Sequence, residues 1–481
     1  MEQKKTKPDI LIFMSDQHNA AYSGYAGDKT VNTPNLDRLA SQGTVFDSAY
    51  TSCPICVPAR MSMLTGQLPE KTGIYGNNGA IPEDQATFIH SLAAEGYETV
   101  LIGRMHFKGD DQRHGFTKRL VGDFTPLYWG RFGDMRKDDL GPYVKTTAEE
   151  FIRVVGGGTS PVLEYDRAVI KAALEYLEHD HSKPQCIVVG TYAPHHTFVA
   201  PVELYEYYKN ITKLPFAFNN EPNYDHPALL HLKRCNFTDE QVIRLRAAYH
   251  GMIENLDSQL GDVWAAWEAY LRRNDWEGVF VYLSDHGEQA GERNMYGKQT
   301  FFDGSSRIPL IFEGKGIKKG IRIKQAASIT DIGPTLCEIA GVQSPPEQDG
   351  KSLYRQITGG EEDEEREVVS EYILKDKTPG RMIRKGRWKF ISYVGYEEYD
   401  LLFDMESDPM ELYNLCEERP EIAAKFRSRL KVSWDTEKIM KRHEIKNKHY
   451  EILMKWGKAV DIDEPERWKV PERARQLPEV Y

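Results

Sequence analysis

Five short apolar segments constrain the fold of this chain more than any other feature of its sequence. Each is continuous rather than alternating, which is typical of strands that are covered on both faces of a sheet. Segments with helical periodicity lie between them. The alternation predicts an α/β fold in which helices cover both sides of a mostly parallel sheet. The segments are DILIFM (9–14), TVLIG (99–103), CIVVGTY (186–192), VFVYLS (279–284) and IPLIF (308–312).

A long helix and two irregular regions accompany the predicted sheet. TDEQ, from Thr238 to Gln241, is a capping box that begins the longest predicted helix. Residues 108–158 and 198–237 are rich in Pro, Gly, Asn and aromatic residues. Because loops of this length in a compact enzyme usually shape a pocket, we expect them to border one here.

The pattern changes after residue 358. GGEEDEERE (359–367) is a charge run that indicates a solvated connector. VVSEYI, RMIRKG and WKFISYV then alternate like half-exposed antiparallel strands, and a charged helical tail follows. We therefore predict a larger domain at residues 1–358 and a smaller α+β domain at residues 368–481.

Charge and hydropathy exclude two classes of partner. The net charge is −11 and the pI is near 5.8, whereas a nucleic-acid-binding protein needs a basic face. The mean hydropathy is −0.57, and no apolar run approaches the roughly 20 residues that span a bilayer. The first apolar run has only the six residues of DILIFM, shorter than in a secretory leader. We expect a cytoplasmic protein without nucleic-acid or membrane partners; a periplasmic or secreted protein whose leader has been removed is the alternative.

CPIC, from Cys53 to Cys56, is a closely spaced cysteine pair in a chain of six cysteines. A thioredoxin-like couple would need the pair at the start of a helix in a small fold, and a zinc clip would need a second ligand pair. No second CxxC or CxxH follows in the sequence. Two buried cysteines without chemistry are the third interpretation. Cys186, Cys235, Cys337 and Cys416 are scattered singly and are expected to be buried thiols.

The residues after Cys56 carry a more specific pattern. CVPARMSMLTG combines C-x-P-x-R with a helical stretch, and it resembles the signature of the formylglycine-dependent sulfatases of the alkaline phosphatase superfamily. The resemblance implies that a maturation enzyme oxidises Cys56 to an aldehyde, whose hydrate attacks sulfur, and that Cys53 is a bystander. It also implies an alkaline-phosphatase-like sandwich with a large mixed sheet. Framework segments extend the resemblance from about Asp9 to Leu415.

The spacing within this motif has a physical reason. Pro58 lacks an N–H and fits the first turn of a helix, so Cys56 is predicted at a helix N-terminus. Free N–H groups there favour an anion. Arg60 lies one turn later on the same side, and we expect it to neutralise the hydrated aldehyde or the sulfate.

Two pairs of polar residues follow predicted strands and are candidate metal ligands. Asp16 and Gln17 follow the first strand, and Asp285 and His286 follow the fourth. Open α/β sheets bind ligands at these carboxyl ends, and both pairs match the places where sulfatases hold a metal, together with Cys56. Gln17 is neutral and His286 offers nitrogen, whereas calcium prefers oxygen. We expect one divalent ion, calcium first, with manganese or magnesium as alternatives; an Asp at a strand end can also simply cap a turn.

LIGRMHF places Arg104 and His106 after the strand at 99–103. The corresponding sulfatase segment reads G-K-x-H, so His106 matches the histidine that holds the spare hydroxyl of the hydrate. Arg104 stands where the family has a lysine that bridges the hydrate and the sulfate. It keeps the charge but presents a planar fork. A surface ion pair is the alternative for Arg104.

Two later segments complete the candidate set. GTYAPHHTFVAP aligns His195 with the histidine that protonates the leaving oxygen, with Thr197 in place of the family's proline. His196 is the second candidate, and either residue could be an ordinary loop histidine. ERNMYGKQTFFDGSSRIPLIF aligns Lys298 with the sulfate-binding lysine, for which a solvated surface lysine is the alternative.

The substrate is less constrained than the reaction. TGIYGNNGA and GRMHFKGDDQRHGF resemble segments of choline sulfatases and bacterial carbohydrate sulfatases, and they make Asn77 and Trp129 the candidate substrate-binding residues. Trp129, Tyr128 and Tyr143 could form an aromatic box for a quaternary ammonium, stack on a sugar ring or pack in the core.

The C-terminal sequence decides our preference among substrates. ERARQLPEVY differs from the segment that completes the choline site in choline sulfatases. We therefore expect a sulfated carbohydrate such as a glycosaminoglycan fragment. Choline sulfate and a phosphonate monoester or phosphodiester are the alternative substrates, and a CxxC redox or binding protein is the alternative of another class. The sequence leaves the oligomeric state open, a homo-oligomer included.

Overall fold

The computed structural model describes residues 7–130, 140–144, 152–233, 237–375, 377–460 and 462–481. Cys235 and part of the predicted loop at 108–158 therefore lie outside the described residues. The strands are β1 (Asp9–Asp16), β2 (Thr44–Phe46), β3 (Ala49–Tyr50), β4 (Glu98–Gly103), β5 (Lys118–Arg119), β6 (Gly156–Gly157), β7 (Gln185–Pro194), β8 (Val199–Ala200), β9 (Gly278–Ser284), β10 (Leu310–Gly314), β11 (Ile321–Ile323), β12 (Ala327–Ser328), β13 (Glu367–Ile373), β14 (Pro379–Lys385), β15 (Trp388–Tyr393) and β16 (Leu401–Asp404). The helices are α1 (Pro34–Gln42), α2 (Cys56–Thr65), α3 (Pro69–Thr72), α4 (Phe88–Ala94), α5 (Pro161–Leu177), α6 (Val202–Ile211), α7 (Phe216–Asn219), α8 (Asp239–Asn274), α9 (Asp303–Ser306), α10 (Ile332–Ala340), α11 (Tyr354–Ile357), α12 (Pro420–Ser433) and α13 (Thr436–Val460).

An eight-stranded sheet runs through the larger part of the molecule, in the order β11-β2-β10-β9-β1-β7-β4-β5. All five apolar segments lie in it, which confirms the sequence prediction. β1 pairs in parallel with both β7 and β9. β10 runs antiparallel to both of its neighbours, β9 and β2, so the sheet is mixed and mostly parallel.

Helices cover both faces of this sheet, which explains why the strands are continuously apolar. Alternate side chains of β1 point to opposite faces. Leu11 and Phe13 belong to a core that includes residues of α1, α5, α6 and α8. Ile10, Ile12 and Met14 belong to a second core with residues of α2, α4 and α10. A strand with helices on both sides needs apolar residues at every position.

The predicted long helix is α8, which has 36 residues. Its capping box is formed as expected, since the Thr238 hydroxyl accepts from the Gln241 N–H at 3.3 Å and the Gln241 side chain accepts from the Thr238 N–H at 2.9 Å. Apolar residues at steps of three and four along this helix are buried, namely Leu245, Tyr249, Met252, Leu256 and Leu260.

A second, antiparallel sheet in the order β13-β14-β15-β16 forms the C-terminal part. One of its faces shares a core with Tyr50, Cys53 and Phe301 of the larger part, and α12 packs on the other face. Residues 361–365 of the connector are exposed, whereas Arg366 is buried in an ion pair with Asp331. The domain boundary between residues 358 and 368 remains a prediction.

The last residues return to the larger part of the molecule. After α13, the backbone N–H of Trp468 donates to the Asp123 carbonyl at 3.1 Å, and Val480 pairs with Gly157 by backbone hydrogen bonds. Among the described residues, no helix is long and apolar enough to cross a membrane.

Candidate active site

The candidate site lies where two neighbouring parallel strands end and one helix begins. Asp16 is the last residue of β1, and Asp285 directly follows β9, so both carboxylates stand at the same edge of the sheet. Ile55 has extended backbone angles, and Cys56 is the first residue of α2, as the Pro58 argument predicts. All ten residues of α2 are buried, so the N-terminus of this helix points into the protein interior.

The thiol of Cys56 is surrounded by ionisable groups. Its Sγ atom lies 3.1 Å from Lys298 Nζ, 3.2 Å from His286 Nε2 and 3.7 Å from Asp16 Oδ1. Burial and the Asp16 carboxylate raise the pKa of the thiol to about 11. Cys56 is therefore a neutral thiol at physiological pH rather than an activated nucleophile.

Four side chains here are placed to bind a metal. One donor atom each from Asp16, Cys56, Asp285 and His286 lie within 4.8 Å of one another, and all four residues are buried. His286 Nδ1 lies 3.0 Å from the Gly287 carbonyl, to which an Nδ1–H donates, so Nε2 keeps a free lone pair. Burial lowers the pKa of His286 to about 4, so the imidazole is neutral, as a metal ligand must be. The donor set fits a divalent cation.

Arg60 connects the two carboxylates of this group. Its Nε donates to Asp285 at 2.8 Å and its Nη2 donates to Asp16 at 3.1 Å, while Nη1 donates to the Arg104 carbonyl at 3.1 Å. The guanidinium is completely buried. We expected Arg60 to lie on the side of the nucleophile; its guanidinium instead donates to Asp16 and Asp285, two of the metal-ligand candidates, and holds them in place. Its effect on the hydrated aldehyde or the sulfate remains a prediction.

Arg104 is buried and is not a surface ion pair. Its Nε donates to Asp16 at 2.7 Å, and its guanidinium carbon Cζ lies 4.2 Å from the centre of the Tyr192 ring. Although burial alone would raise the pKa of the Asp16 carboxyl, the positive charges of Arg104 and Arg60 hold it well below its usual range. Asp16 is therefore an anion in this site.

His106 is oriented by Arg104 and by a residue that sequence reasoning did not identify, Asp123. Arg104 Nη2 donates to His106 Nδ1 at 2.7 Å, because a guanidinium can only donate. The neutral imidazole therefore carries its proton on Nε2. The Asp123 carboxylate accepts from Arg104 Nη1 at 3.0 Å and from the backbone N–H of His106 at 3.0 Å. Asp123 follows no recognisable motif, and only its contacts reveal it.

Lys298 and Gln17 form a further part of the site, next to Cys56. Lys298 Nζ donates to Gln17 Oε1 at 2.7 Å. Gln17 Nε2 donates to the buried carboxylate of Glu288, which also accepts from the Ala290 N–H at 2.9 Å. Glu288 thus fixes the direction of the Gln17 amide and turns its oxygen toward the site. Sequence reasoning missed Glu288, although it lies within the same SDHGE segment as Asp285.

His195 lies near this group and His196 faces elsewhere. His195 is buried, and its Nδ1 lies 2.6 Å from the His196 carbonyl, so a neutral ring keeps the Nε2 lone pair free. Burial, followed by the positive charge of Lys298, lowers the pKa of His195 well below its usual range. His196 lines a small cavity with Phe124 and Tyr143. The geometry favours His195 over His196 as the acid candidate.

The two cysteines of CPIC occupy different environments. Cys53 belongs to the apolar core between the two sheets, together with Tyr50 and Phe301. Burial raises the pKa of the Cys53 thiol well above its usual range. Both cysteines are free thiols. Since redox couples need an accessible thiolate, this arrangement does not favour a redox pair.

The predicted substrate-binding residues border the site at its surface. Asn77 Oδ1 accepts from the Val57 N–H at 3.0 Å, in the first turn of α2. Trp129 donates its ring N–H to the Asn78 carbonyl at 2.8 Å. Tyr143 is buried and donates to the Thr159 carbonyl at 3.1 Å, so it does not share these contacts.

Comparison with known proteins identifies relatives along most of the chain. A family model described as "Sulfatase" matches residues 8–342, and one described as "N-sulphoglucosamine sulphohydrolase, C-terminal" matches residues 291–459. A choline-sulfatase of Rhizobium meliloti (strain 1021) is 33% identical over 458 residues, which cover 90% of this chain and 88% of the relative.

Solved structures with the same fold include hydrolases of two ester classes. A phosphonate monoester hydrolase of Agrobacterium radiobacter has a TM-score of 0.72 at 24% identity, with 88% of this chain and 95% of that chain covered. A 2-O GAG sulfatase has a TM-score of 0.70 at 24% identity, with 88% of this chain and 91% of that chain covered.

Proposed function

The chain belongs to the sulfatase family and is a sulfuric ester hydrolase, and from this premise we propose that it hydrolyses a sulfate monoester of a carbohydrate through a formylglycine made from Cys56. The observation that carries the proposal is the position of Cys56 Sγ, 3.1 Å from Lys298 Nζ and 3.2 Å from His286 Nε2 at a buried helix N-terminus. A neutral thiol has no evident use among these charged groups. The oxygen atoms of a hydrated aldehyde at the same place would interact with them.

The proposal includes one divalent metal ion. Asp16, Asp285, His286 and the oxidised Cys56 would hold it, with the Gln17 amide oxygen beside them. When bound, the ion lowers the pKa of a coordinated hydroxyl and offsets negative charge on the sulfate. Calcium suits the oxygen donors and manganese suits the single nitrogen, with magnesium as a further candidate.

The chain's own residues provide the positive charge that the reaction needs. A sulfate monoester is anionic, and its nucleophile must be an anion as well, so the two approach only where cations are clustered. Lys298 Nζ contacts Cys56 Sγ, the position of the nucleophile. Arg104 donates to Asp16, whose other carboxylate oxygen lies near the same sulfur atom. We assign sulfate binding to these two residues.

Proton transfers follow from the orientations of two histidines. When the anionic substrate binds, His195 takes up a proton from solvent at Nε2, whose lone pair is otherwise free. One hydroxyl of the hydrated aldehyde gives its proton to solvent water and attacks sulfur. The bond between sulfur and the leaving oxygen breaks as His195 Nε2 gives its proton to that oxygen. Alkoxides are strongly basic, so this proton is needed. An anionic substrate next to His195 offsets the effect of Lys298 on its pKa. The second hydroxyl accepts a hydrogen bond from His106 Nε2. It later gives its proton to solvent water as its C=O bond forms and the C–O bond to sulfate breaks, which releases sulfate.

Two observations support a carbohydrate as the esterified alcohol. The family model that matches residues 291–459 is described as "N-sulphoglucosamine sulphohydrolase, C-terminal", and that name is of an enzyme that acts on a sulfated amino sugar. The aromatic residues beside the site also diverge: Trp129 binds the Asn78 carbonyl, Tyr128 packs on Trp456 at 6.4 Å between ring centres, and Tyr143 is buried. They do not converge on one point, as a box for a quaternary ammonium would.

Choline sulfate is the second candidate, because the relative with 33% identity is a choline-sulfatase. A panel of substrates separates the candidates. Matured protein with a divalent ion is assayed on sulfated disaccharides, choline sulfate, an aryl sulfate and a phosphonate monoester. We expect kcat/KM to be highest on a sulfated disaccharide. Preference for choline sulfate or for the phosphonate would contradict the carbohydrate proposal.

Asp123 gives a separate prediction about the positioning of Arg104 and His106. Asp123→Asn puts a donor against the donors of these two residues, so we expect kcat to fall about 10- to 100-fold, as for other residues that orient a site. Asp257→Asn is the matched control, since Asp257 is a buried carboxylate that accepts from the Asn35 and Leu36 N–H groups, on α1. The control is expected to lower the melting temperature but not kcat. The kcat of each variant is measured on an aryl sulfate at a temperature below the unfolding transitions of both. Equal kcat values for the two variants would contradict the role of Asp123.

A further inference from the structure

Helix α13 presents a surface that the proposed chemistry does not use. Three of its apolar residues are largely exposed: Ile452 (65%), Trp456 (41%) and Val460 (56%). They are spaced four residues apart and therefore share one face of the helix. We propose that this face, extended by Tyr128 and Trp129, binds the part of a sulfated saccharide chain that lies beyond the reacting sulfate. This inference rests on the proposed carbohydrate substrate.

A continuous series of contacts joins this face to the nucleophile. Val57, next to Cys56, donates its N–H to the Asn77 side chain, and Trp129 donates its ring N–H to the adjacent Asn78 carbonyl. Tyr128 then packs edge-on against Trp456. Asn77, Asn78, Tyr128 and Trp129 are each half-buried, so the path lies at the protein surface. A chain bound at the site by its sulfate would extend along it.

Two glycines bring α13 close to this path. A side chain at Gly457 would overlap the Trp129 carbonyl, and one at Gly130 would overlap the Met454 carbonyl. The backbones of the helix and of residues 129–130 are thus in direct contact. At the other end of the helix, Arg442 donates to the Lys71 carbonyl at 2.7 Å. Contacts near both ends therefore fix α13 against the larger part of the molecule, and Trp456 has a defined position relative to the site.

The charge of α13 selects the class of ligand. The helix carries seven Lys and Arg residues and three Glu residues, whereas the whole chain has a net charge of −11. Lys448, Lys455 and Lys458 are exposed. Lys448 and Lys455 lie on the same face as Ile452. Cations beside an aromatic ring suit a ligand that is anionic and has flat apolar faces, which describes a sulfated pyranose chain.

The test uses the inactive Cys56→Ala protein, so that binding is measured without turnover. A heparin-derived hexasaccharide and the corresponding disaccharide are titrated by calorimetry. Trp456→Ala is expected to raise the Kd of the hexasaccharide about tenfold, as for truncation of an aromatic anchor. The Kd of the disaccharide, which offers fewer sugar units to contact α13, is expected to rise less. Lys448→Gln with Lys455→Gln is expected to weaken the dependence of hexasaccharide binding on salt.

Matched controls remove the same groups elsewhere. Val432→Ala changes an exposed apolar residue of α12, and Lys319→Gln with Lys324→Gln removes two exposed charges. Both are expected to leave the two Kd values unchanged. An unchanged hexasaccharide Kd in Trp456→Ala, while the matured enzyme hydrolyses the disaccharide, overturns the surface and leaves the proposed function standing. Hydrolysis of an aryl sulfate but of neither saccharide overturns the carbohydrate substrate itself.

Two other occupants are outcomes of the same experiment. Binding to phosphatidylglycerol vesicles that is lost in Trp456→Ala, with an unchanged hexasaccharide Kd, would assign the face to a lipid surface. A change from dimer to monomer in Trp456→Ala, again with an unchanged Kd, would assign it to a second copy of the chain. Either result overturns the proposal.

Discussion

Sulfate release by the matured protein is expected to fall at least about 10⁴-fold when Cys56 is replaced by alanine, because the reacting oxygen is then absent while all other groups remain. The fold should tolerate the change, since a small buried side chain is replaced by a slightly smaller one, at a cost of about 1 kcal/mol. Lys298 and Arg104 are retained, so the variant still binds anionic substrates. The measurements are kcat on an aryl sulfate and the Kd of a sulfated disaccharide.

Cys53→Ala is the matched control for this prediction. Cys53 lies three residues before Cys56 but belongs to the apolar core between the two sheets. We expect a modest loss of stability and an almost unchanged kcat. If Cys53→Ala abolished turnover as completely as Cys56→Ala, the two cysteines would act as a couple, and the single-nucleophile account would be wrong.

Arg60→Gln is expected to destabilise the protein more than any other substitution in the site. Arg60 neutralises two buried carboxylates, Asp16 and Asp285, by contacts of 3.1 and 2.8 Å. Removal of one partner from a buried ion pair typically costs about 3–5 kcal/mol, because the other charge remains buried. A divalent cation restores part of this loss by binding between the carboxylates. The melting temperature should therefore rise more on addition of calcium or manganese in Arg60→Gln than in the wild type.

Two variants calibrate the Arg60 result. Arg60→Lys keeps the charge but not the fork that reaches both carboxylates, so its stability should be intermediate. Arg246→Gln removes a buried guanidinium that donates to the Lys213 and Ala290 carbonyls rather than to carboxylates. It should lower the melting temperature without enlarging the effect of the metal. An equal metal-dependent shift in Arg60→Gln and Arg246→Gln would contradict the role of Arg60 as a counter-ion at a metal site.

Local sequence patterns were sufficient for the features that depend on neighbouring residues. Continuous apolar runs predicted five of the eight strands of the large sheet, and TDEQ predicted the start of α8. Cys56 was expected at a helix N-terminus because Pro58 fits a first turn, and it is the first residue of α2. Asp16 and Asp285 were expected in one metal site because both follow predicted strands of a parallel sheet at its carboxyl ends and match the sulfatase pattern. The structure shows that these two strands are neighbours.

Features that depend on contacts between distant segments could not be predicted in this way. The direction of Arg60 is decided by carboxylates 44 and 225 positions away in the chain. Asp123 and Glu288 carry no motif, although each orients residues of the site. The return of residues 462–481 to the larger part of the molecule is fixed by backbone pairing such as that of Val480 with Gly157, which leaves no pattern in the side chains.

The central claim is that an aldehyde at position 56 is the reacting group, and one measurement tests it directly. Preparations matured to different extents by a formylglycine-generating enzyme are analysed by mass spectrometry of the peptide that contains Cys56, and sulfate release from a sulfated disaccharide is measured on each. We predict that kcat per molecule of protein rises in proportion to the aldehyde fraction, from zero when only the thiol is present. Full turnover by protein that carries only the thiol would contradict the account.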